Sequence, residues 1–399
     1  MINTIAEIGR KLPLRGGRRL AGNESKEEVD MELFYELFGN LTNFTWRQGA
    51  MIAIGAVLIF LAIRKNMEPT LLLPMGFGAI LVNLPFANTE ALATLFNAGI
   101  ASELFPLLLF IGIGAMIDFG PLLSNPKMLL FGAAAQFGIF FTLAVASLLG
   151  FDLTDAASVA IIGAADGPTS IFVSSYFGSQ YQGPIMVAAY SYMALVPIVQ
   201  PPVIKMMTTK KERLIRMPYQ PSSVSQVTKI LFPIFVTILA GAIAPKSAEL
   251  IGFLMFGNLI RECGVLGSLS ETAQKVLANL VTLLLGLSVA FKMQADIFIT
   301  VETIVIICLG LVAFIFDTVG GVAFAKVLNL FSKKKINPMI GAAGISAFPM
   351  SARVVHKMGQ REDPGNFLLM HAAGANVSGQ VASVIAGGLI ITLVENILR

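Results

Sequence analysis

Charged side chains make up only 13% of these 399 residues, about half the share usual in a soluble domain. With 55% hydrophobic residues and a mean hydropathy of +0.77, that scarcity excludes a water-soluble globular chain and points to one embedded in lipid. Two histidines and two cysteines exclude a histidine metal cluster and a disulfide framework. Cys263 and Cys308 lack CxxC or metal-ligand spacing and read as small buried hydrophobes. The ten-residue alternation of a membrane β-barrel is missing. So is the apolar core that a signal peptide needs after its positive start. The net charge of +4 calls for no nucleic acid, and the basic residues bunch in short loops, as the positive-inside rule expects.

What is present is a succession of apolar runs of about 20 residues after Trp46, the length a helix needs to cross a bilayer. The 37 glycines suit close helix packing and interrupted helices. The expected fold is an all-α polytopic membrane protein in three parts. Residues 1–46 form an amphipathic or disordered extension, 47–216 a first transmembrane half and 217–399 a second. Spans are expected near 48–63, 103–118, 128–150, 156–178 and 183–204. After a Pro/Ser linker they resume near 228–246, 250–262, 274–296, 301–328 and 367–398. Arg64/Lys65 and the loop from Lys205 to Arg216 should both face the cytoplasm, yet an odd number of candidate segments separates them. At least one segment therefore enters and leaves on the same face. The Pro/Gly-broken run at 69–85 and the run holding Asp166 both qualify.

The most informative stretch is IIGAADGPTSIFVSS, Ile161 to Ser175. An acidic side chain near the bilayer centre costs about 3 kcal/mol on insertion scales and marks function by default. Glycine and proline beside Asp166 predict an interrupted helix whose freed backbone groups line a cavity. Asp166 reads as a cap on the second half of that helix, as an ion or proton site, or as both at once. Asp317, in FIFDTVGG, is a second candidate for an intramembrane carboxylate, and Asp118 reads as a helix-end cap. An internal echo links IIGAADG at 161–167 to MIGAAGI at 339–345. Paired broken helices of this kind point to an ion site at the interface of two inverted-topology repeats.

Neutral oxygens concentrate in the second half, at Asn337, Ser346, Ser351, Asn376, Ser378, Gln380 and Ser383. A hard Na+-like ion prefers such ligands together with freed carbonyls; interhelical hydrogen bonding is the structural alternative. Tyr192 reads as a packing residue or as a phenol able to pass a proton. Arg353 reads as a cytoplasmic boundary charge, alongside Lys357 and Arg361, or as a fork that holds a carboxylate. His356 and His371 read as surface and packing residues.

Taken together, GAADGPTSIF, AAYSYMALVPIVQPP, NPMIGAAGISAFPMSARVV and HAAGANVSGQVAS resemble the β subunit of the sodium-pumping biotin-dependent decarboxylases, the oxaloacetate, methylmalonyl-CoA and glutaconyl-CoA decarboxylase family. EPTLLLPMGFGAILVNLP and IDFGPLLSNPKMLLFGAAAQFG extend the resemblance over residues 50–398. It implies a translocase subunit in a bacterial cytoplasmic (inner) membrane, built from a scaffold and a mobile core. Such a subunit decarboxylates carboxybiotin carried on a separate subunit and uses the free energy to export Na+, consuming a proton. The implied partners are a carboxyltransferase subunit, a biotin carrier protein, a small membrane-anchoring subunit, lipid, and further copies of the chain within the complex. By motif, Asp166 would ligate Na+ and exchange protons, Asn376 would complete that site, and Asn337, Gly341 and Ser346 would form a second polar path. Tyr192 would deliver the proton and Arg353 would orient carboxybiotin. A stand-alone Na+/H+ antiporter with the same site is the alternative, and a purely structural membrane anchor is a third reading that leaves Asp166 without a role.

Overall fold

Apolar runs of span length fold as helices throughout the computed structural model, which describes residues 44–65, 67–85, 87–218 and 224–399. The expectation for 1–46 falls outside these residues, apart from the last few before the first helix. Among the described residues every regular element is a helix. In chain order the elements that matter here are α1 (Trp46–Lys65), α2 (Pro69–Val82), α3 (Leu104–Met116), α4 (Phe137–Leu148), α5 (Leu153–Ala160), α6 (Gly167–Tyr176) and α7 (Gln182–Met207). They are followed by α8 (Gln226–Ile243), α9 (Ala248–Glu262), α10 (Ala278–Ala290), α11 (Val301–Phe331), α12 (Met350–Glu362) and α13 (Leu369–Leu398).

Seven helices among the described residues are long and apolar enough to cross a membrane, and an eighth arises if a bent pair counts as one span. That pair, Glu90–Ala101 with α3, turns by 62° where Glu103 adopts a left-handed backbone. The chain is thus a multi-pass membrane protein. Two apolar helices are too short to span, Pro69–Val82 and Leu153–Ala164; the first lies in the 69–85 run that the charge parity singled out, and the second is the opening part of the run that holds Asp166. The run at 156–178 is not one helix but two, broken at Ala165 and Asp166. The expected span at 250–262 forms α9, which at 15 residues is shorter than a full crossing.

Prolines interrupt less than the sequence suggests. α7 carries Pro197, Pro201 and Pro202 yet runs continuously for 26 residues, because neighbouring groups can satisfy the carbonyls that proline frees inside a membrane protein. The cysteine expectation needs correcting at Cys308, which is exposed. On the outer face of an apolar span the surroundings are lipid, so a small thiol gains nothing from burial. Cys263 is half-buried and donates to the Ile260 carbonyl at 3.1 Å. Asp118 takes the expected local role, accepting the Gly120 N–H at 2.8 Å.

Buried apolar residues form two clusters. One joins α1, α2 and α10 to one face of α7, and includes Leu71, Leu109, Ile171, Tyr190 and Ala278. The other gathers the remaining helices around α4, α5, α11 and α13. Asp166 lies where they meet. A cavity of about 240 Å³ there has Leu71, Leu109, Tyr190 and Ala278 of the first cluster on one side and Ala165 of the second on the other.

Candidate functional site

Two interrupted segments meet at this seam. In the first, a 3-10 turn at Ile161–Ala164 ends in Ala165, held left-handed at φ 51° and ψ 45°. An alanine in that conformation is strained by about 1–2 kcal/mol, and such strain persists only where the surroundings impose it. The turn delivers Asp166 to the N-cap of α6. Its Oδ1 accepts the Thr169 N–H at 3.4 Å, and its Oδ2 accepts the Thr169 hydroxyl at 2.7 Å. The free N–H groups and positive end of α6 favour a negative charge at this position. The capping reading therefore holds, and the same geometry is compatible with a bound cation.

The second interrupted segment, 343–349, links Met339–Ala342 to α12. Ser346 donates both its N–H, at 3.2 Å, and its hydroxyl, at 2.8 Å, to the Ala164 carbonyl, tying one break to the other. α13 then braces both from a single face, since positions 376, 380 and 383 follow an i, i+4, i+7 stripe. Asn376 Nδ2 donates to the Ile345 carbonyl at 2.7 Å. Gln380 Nε2 donates to the Ser346 carbonyl. Ser383 donates its hydroxyl to Asp166 Oδ2 at 2.7 Å. Asp166 is 2% exposed, and Ser346, Asn376 and Ser383 are fully buried.

Among the described residues, three buried oxygens on α13 and α7 have no hydrogen-bond partner: Asn376 Oδ1, Gln380 Oε1 and the Tyr190 phenol oxygen. Buried acceptors are normally satisfied. Gln380 and Tyr190 line the cavity with Asp166, and neutral oxygens beside one carboxylate are a donor set suited to a cation of low charge. No group of three or more acidic, histidine or cysteine side chains suited to a metal ion occurs among the described residues. That leaves one carboxylate with neutral oxygens, the donor set of a hard monovalent ion rather than of zinc or calcium.

Tyr190 is a cavity-lining residue that the sequence reading passed over. Its ring lies against the backbone of Gly167, where a Cβ would come within 2.2 Å of the ring carbons, and it lines the Asp166 cavity. Tyr192, two positions on, points about 200° away around the helix and donates to the Ile307 carbonyl in α11. A further omission is Gln200 of α7. It is fully buried and donates to the Ala342 carbonyl at 2.7 Å and to Ser351 Oγ at 2.8 Å, holding the start of the second break.

Other sequence-selected residues lie elsewhere. Asn337 is buried, but its amide donates to the carbonyls of Arg213 and Ile215, both at 2.9 Å, and its Oδ1 accepts the Met339 N–H at 3.1 Å. Those contacts anchor the chain leaving α7 and use all its polar atoms away from Asp166. Gly341 makes a backbone crossing with Gly321 of α11, so close that a Cβ on Gly341 would come within 2.0 Å of the Gly321 carbonyl oxygen. Asp317 caps a different break: its Oδ1 accepts the Ile139 N–H at 3.2 Å near the start of α4. Arg353 is exposed on the first turn of α12, beside a cavity of about 260 Å³ walled by Pro197, Pro201, Lys357 and Arg361.

Residues 47–394 match the family described as Na+-transporting oxaloacetate decarboxylase beta subunit. The chain belongs to that family. It is 50% identical to the glutaconyl-CoA decarboxylase subunit beta of Acidaminococcus fermentans, over 88% of this chain and 94% of the relative. Identity to the methylmalonyl-CoA decarboxylase subunit beta of Veillonella parvula is 48%, covering 88% and 95%. The probable oxaloacetate decarboxylase beta chain of Vibrio cholerae is 44% identical, covering 89% and 97%. As a member of the beta-subunit family, the chain carries the expected membrane-embedded helical fold. The stand-alone antiporter finds no support in these relatives, which are all named as subunits of decarboxylases.

Proposed function

We propose that this chain is the membrane subunit of a sodium-pumping decarboxylase in a bacterial inner membrane, releasing CO2 from carboxybiotin and exporting Na+. The observation that carries the site assignment is the Asp166 carboxylate, buried at the meeting point of two broken segments and gripped by hydroxyls from α6 and α13. One negative charge in this place is neutralised either by Na+ or by a proton, so the two compete. That competition links ion release to proton uptake. Asp166, with Gln380, Tyr190 and the Asn376 amide oxygen, would hold the ion, while Ser346 and Ser383 fix the two breaks against each other.

Biotin belongs to a separate carrier, and the residues of α12 suit its carboxylated form. Arg353, Lys357 and Arg361 recur every four positions beside the 260 Å³ cavity, presenting cations to an anion from the side where the basic loops are expected. When docked, carboxybiotin supplies a carboxylate that leaves as CO2 while its ring nitrogen takes up a proton. Arg353 would orient that carboxylate. Tyr190, which lines the Asp166 cavity, is better placed than Tyr192 to pass a proton between cavity and substrate side. The seam between the two apolar clusters is where a mobile core would slide on a scaffold, and the paired breaks at 161–167 and 339–349 are the natural repeat interface. A carboxyltransferase subunit, a biotin carrier and a small anchoring subunit complete the complex, with further copies of this chain alongside. The acid or acyl-CoA that is decarboxylated is chosen by the carboxyltransferase.

The test is to purify the chain with the subunits that accompany it, reconstitute the complex in vesicles, and follow CO2 release and 22Na+ together. CO2 release that needs Na+ and moves it across the vesicle wall supports the reading. Ion exchange by the isolated chain without carboxybiotin would overturn it.

A further inference from the structure

The Asp166 cavity has a second acidic wall. Glu68 lines it together with Asp166, Tyr190 and Pro349. It stands at the turn between α1 and α2 with φ at 37°, a left-handed conformation that a non-glycine residue adopts at a cost of about 1–2 kcal/mol and that clusters at functional sites. The side chain does not serve the helix it precedes: it makes no capping hydrogen bond to α2. Nor does it enter an ion pair among the described residues. Burial pushes the Glu68 carboxyl above the ordinary carboxylate range, and the Arg353 guanidinium pulls it back.

The connection to Arg353 is built into α12. Pro349 walls the Asp166 cavity. Arg353 donates its backbone N–H to the Pro349 carbonyl one turn later and walls the basic cavity. One helix start therefore separates the ion cavity from the proposed carboxylate cavity, and one guanidinium acts on both. Glu68 also comes three residues after Lys65, at the basic end of α1, which places it on the same expected face.

We infer that Glu68 is the carboxylate that collects Na+ at the mouth of the Asp166 cavity, and that Arg353 weakens its hold until a substrate carboxylate engages the guanidinium. The inference rests on the proposed function, which supplies both the cation and the carboxylate. A free guanidinium opposes Na+ at Glu68 through its like charge. A guanidinium paired with a carboxylate no longer does, so docking of the anionic substrate raises Na+ occupancy before CO2 leaves. Adding or removing one unit charge beside a solvated site changes an affinity about fivefold, so an effect of that order is expected at low ionic strength.

The experiment uses the whole reconstituted complex and the Na+ dependence of CO2 release. Glu68→Gln should raise the half-saturating Na+ concentration about fivefold, with the deficit overcome at high Na+. Glu68→Asp should largely restore the parent value. Glu68→Asn, whose side chain tolerates left-handed backbone, repeats the neutral change in a form suited to the turn. Parent-like Na+ dependence in both neutral variants would overturn the inference. Arg353→Gln, titrated with NaCl alone by 23Na NMR without carboxybiotin, should bind Na+ more tightly by a similar factor; unchanged or weaker binding would overturn the coupling. Asp166→Asn, run in parallel, separates the two levels. If it keeps Na+-dependent turnover, the underlying site reading falls; if it does not, the Glu68 outcome bears on Glu68 alone.

Discussion

Replacing Ser383 with alanine removes one hydroxyl and should move the competition between Na+ and the proton by a calculable amount. Ser383 Oγ lies 2.7 Å from Asp166 Oδ2 and 3.0 Å from the Gln380 carbonyl. The carboxylate is the stronger acceptor and the nearer one, so its single hydrogen goes to Asp166. Hydrogen bonds to charged groups contribute about 1.5–3 kcal/mol when buried. At 1.4 kcal/mol per factor of ten, that is roughly a 10- to 150-fold change. The hydroxyl supports the charged carboxylate that Na+ needs and gives nothing comparable to the protonated one. Ser383→Ala should therefore raise the half-saturating Na+ concentration by that factor near neutral pH, and by less in alkaline medium, where the proton competes poorly. The assay is CO2 release against Na+ concentration at two pH values in the reconstituted complex. A half-saturating concentration equal to the parent's at both pH values would refute the reasoning, because the contact would then contribute nothing to ion binding.

Further outcomes follow from neighbouring contacts. Tyr190→Phe should change Na+ dependence or turnover, since Tyr190 lines the ion cavity; Tyr192→Phe should mainly lower thermal stability, by about 0.5–1 kcal/mol, through loss of its bond to Ile307. Kinetics and thermal unfolding of the two variants side by side separate these roles. Gly341→Ala places a Cβ within 2.0 Å of a backbone oxygen and should destabilise by about 1–3 kcal/mol, with Gly321→Ala behaving alike in a detergent thermal-shift measurement. The Arg216 fork holds Asp363 at 2.6 and 3.0 Å, and that hydrogen bonding keeps the Asp363 carboxyl below its ordinary 3.8. A depressed carboxylate contributes stability above its unfolded value and loses it as pH falls through the folded one. Protease sensitivity of the chain around Arg216 should thus be flat through neutral pH and rise only below 3.8.

Much of the fold was legible because hydropathy alone marks spans, and because an aspartate flanked by glycine and proline in an apolar run has few explanations. The meeting of the two breaks was foreshadowed by the IGAA echo, whose alanines and glycines make close backbone approach possible. The 62° turn before α3 was not, since Ser102 and Glu103 carry no breaking signal of their own. Tyr190 and Tyr192 could not be separated by composition. Helix phase relative to Gly167 decides which one meets Asp166, and that phase is set by packing. Asn337 and Asn376 posed the same difficulty: each is a neutral amide beside an apolar run, and only the tertiary contacts assign one to the 213–215 backbone and the other to the second break. Nothing in the sequence around Glu68 distinguishes it; its left-handed backbone and its place on the cavity wall do.

The central claim is that Asp166 carries the ion. It is tested most directly by Asp166→Asn in the reconstituted complex, with 22Na+ uptake, CO2 release and carboxyl transfer to biotin measured on one preparation. The account predicts that transfer to biotin persists while CO2 release and 22Na+ uptake are both lost from a complex that remains assembled. Parent-like uptake of 22Na+ by that variant would contradict it.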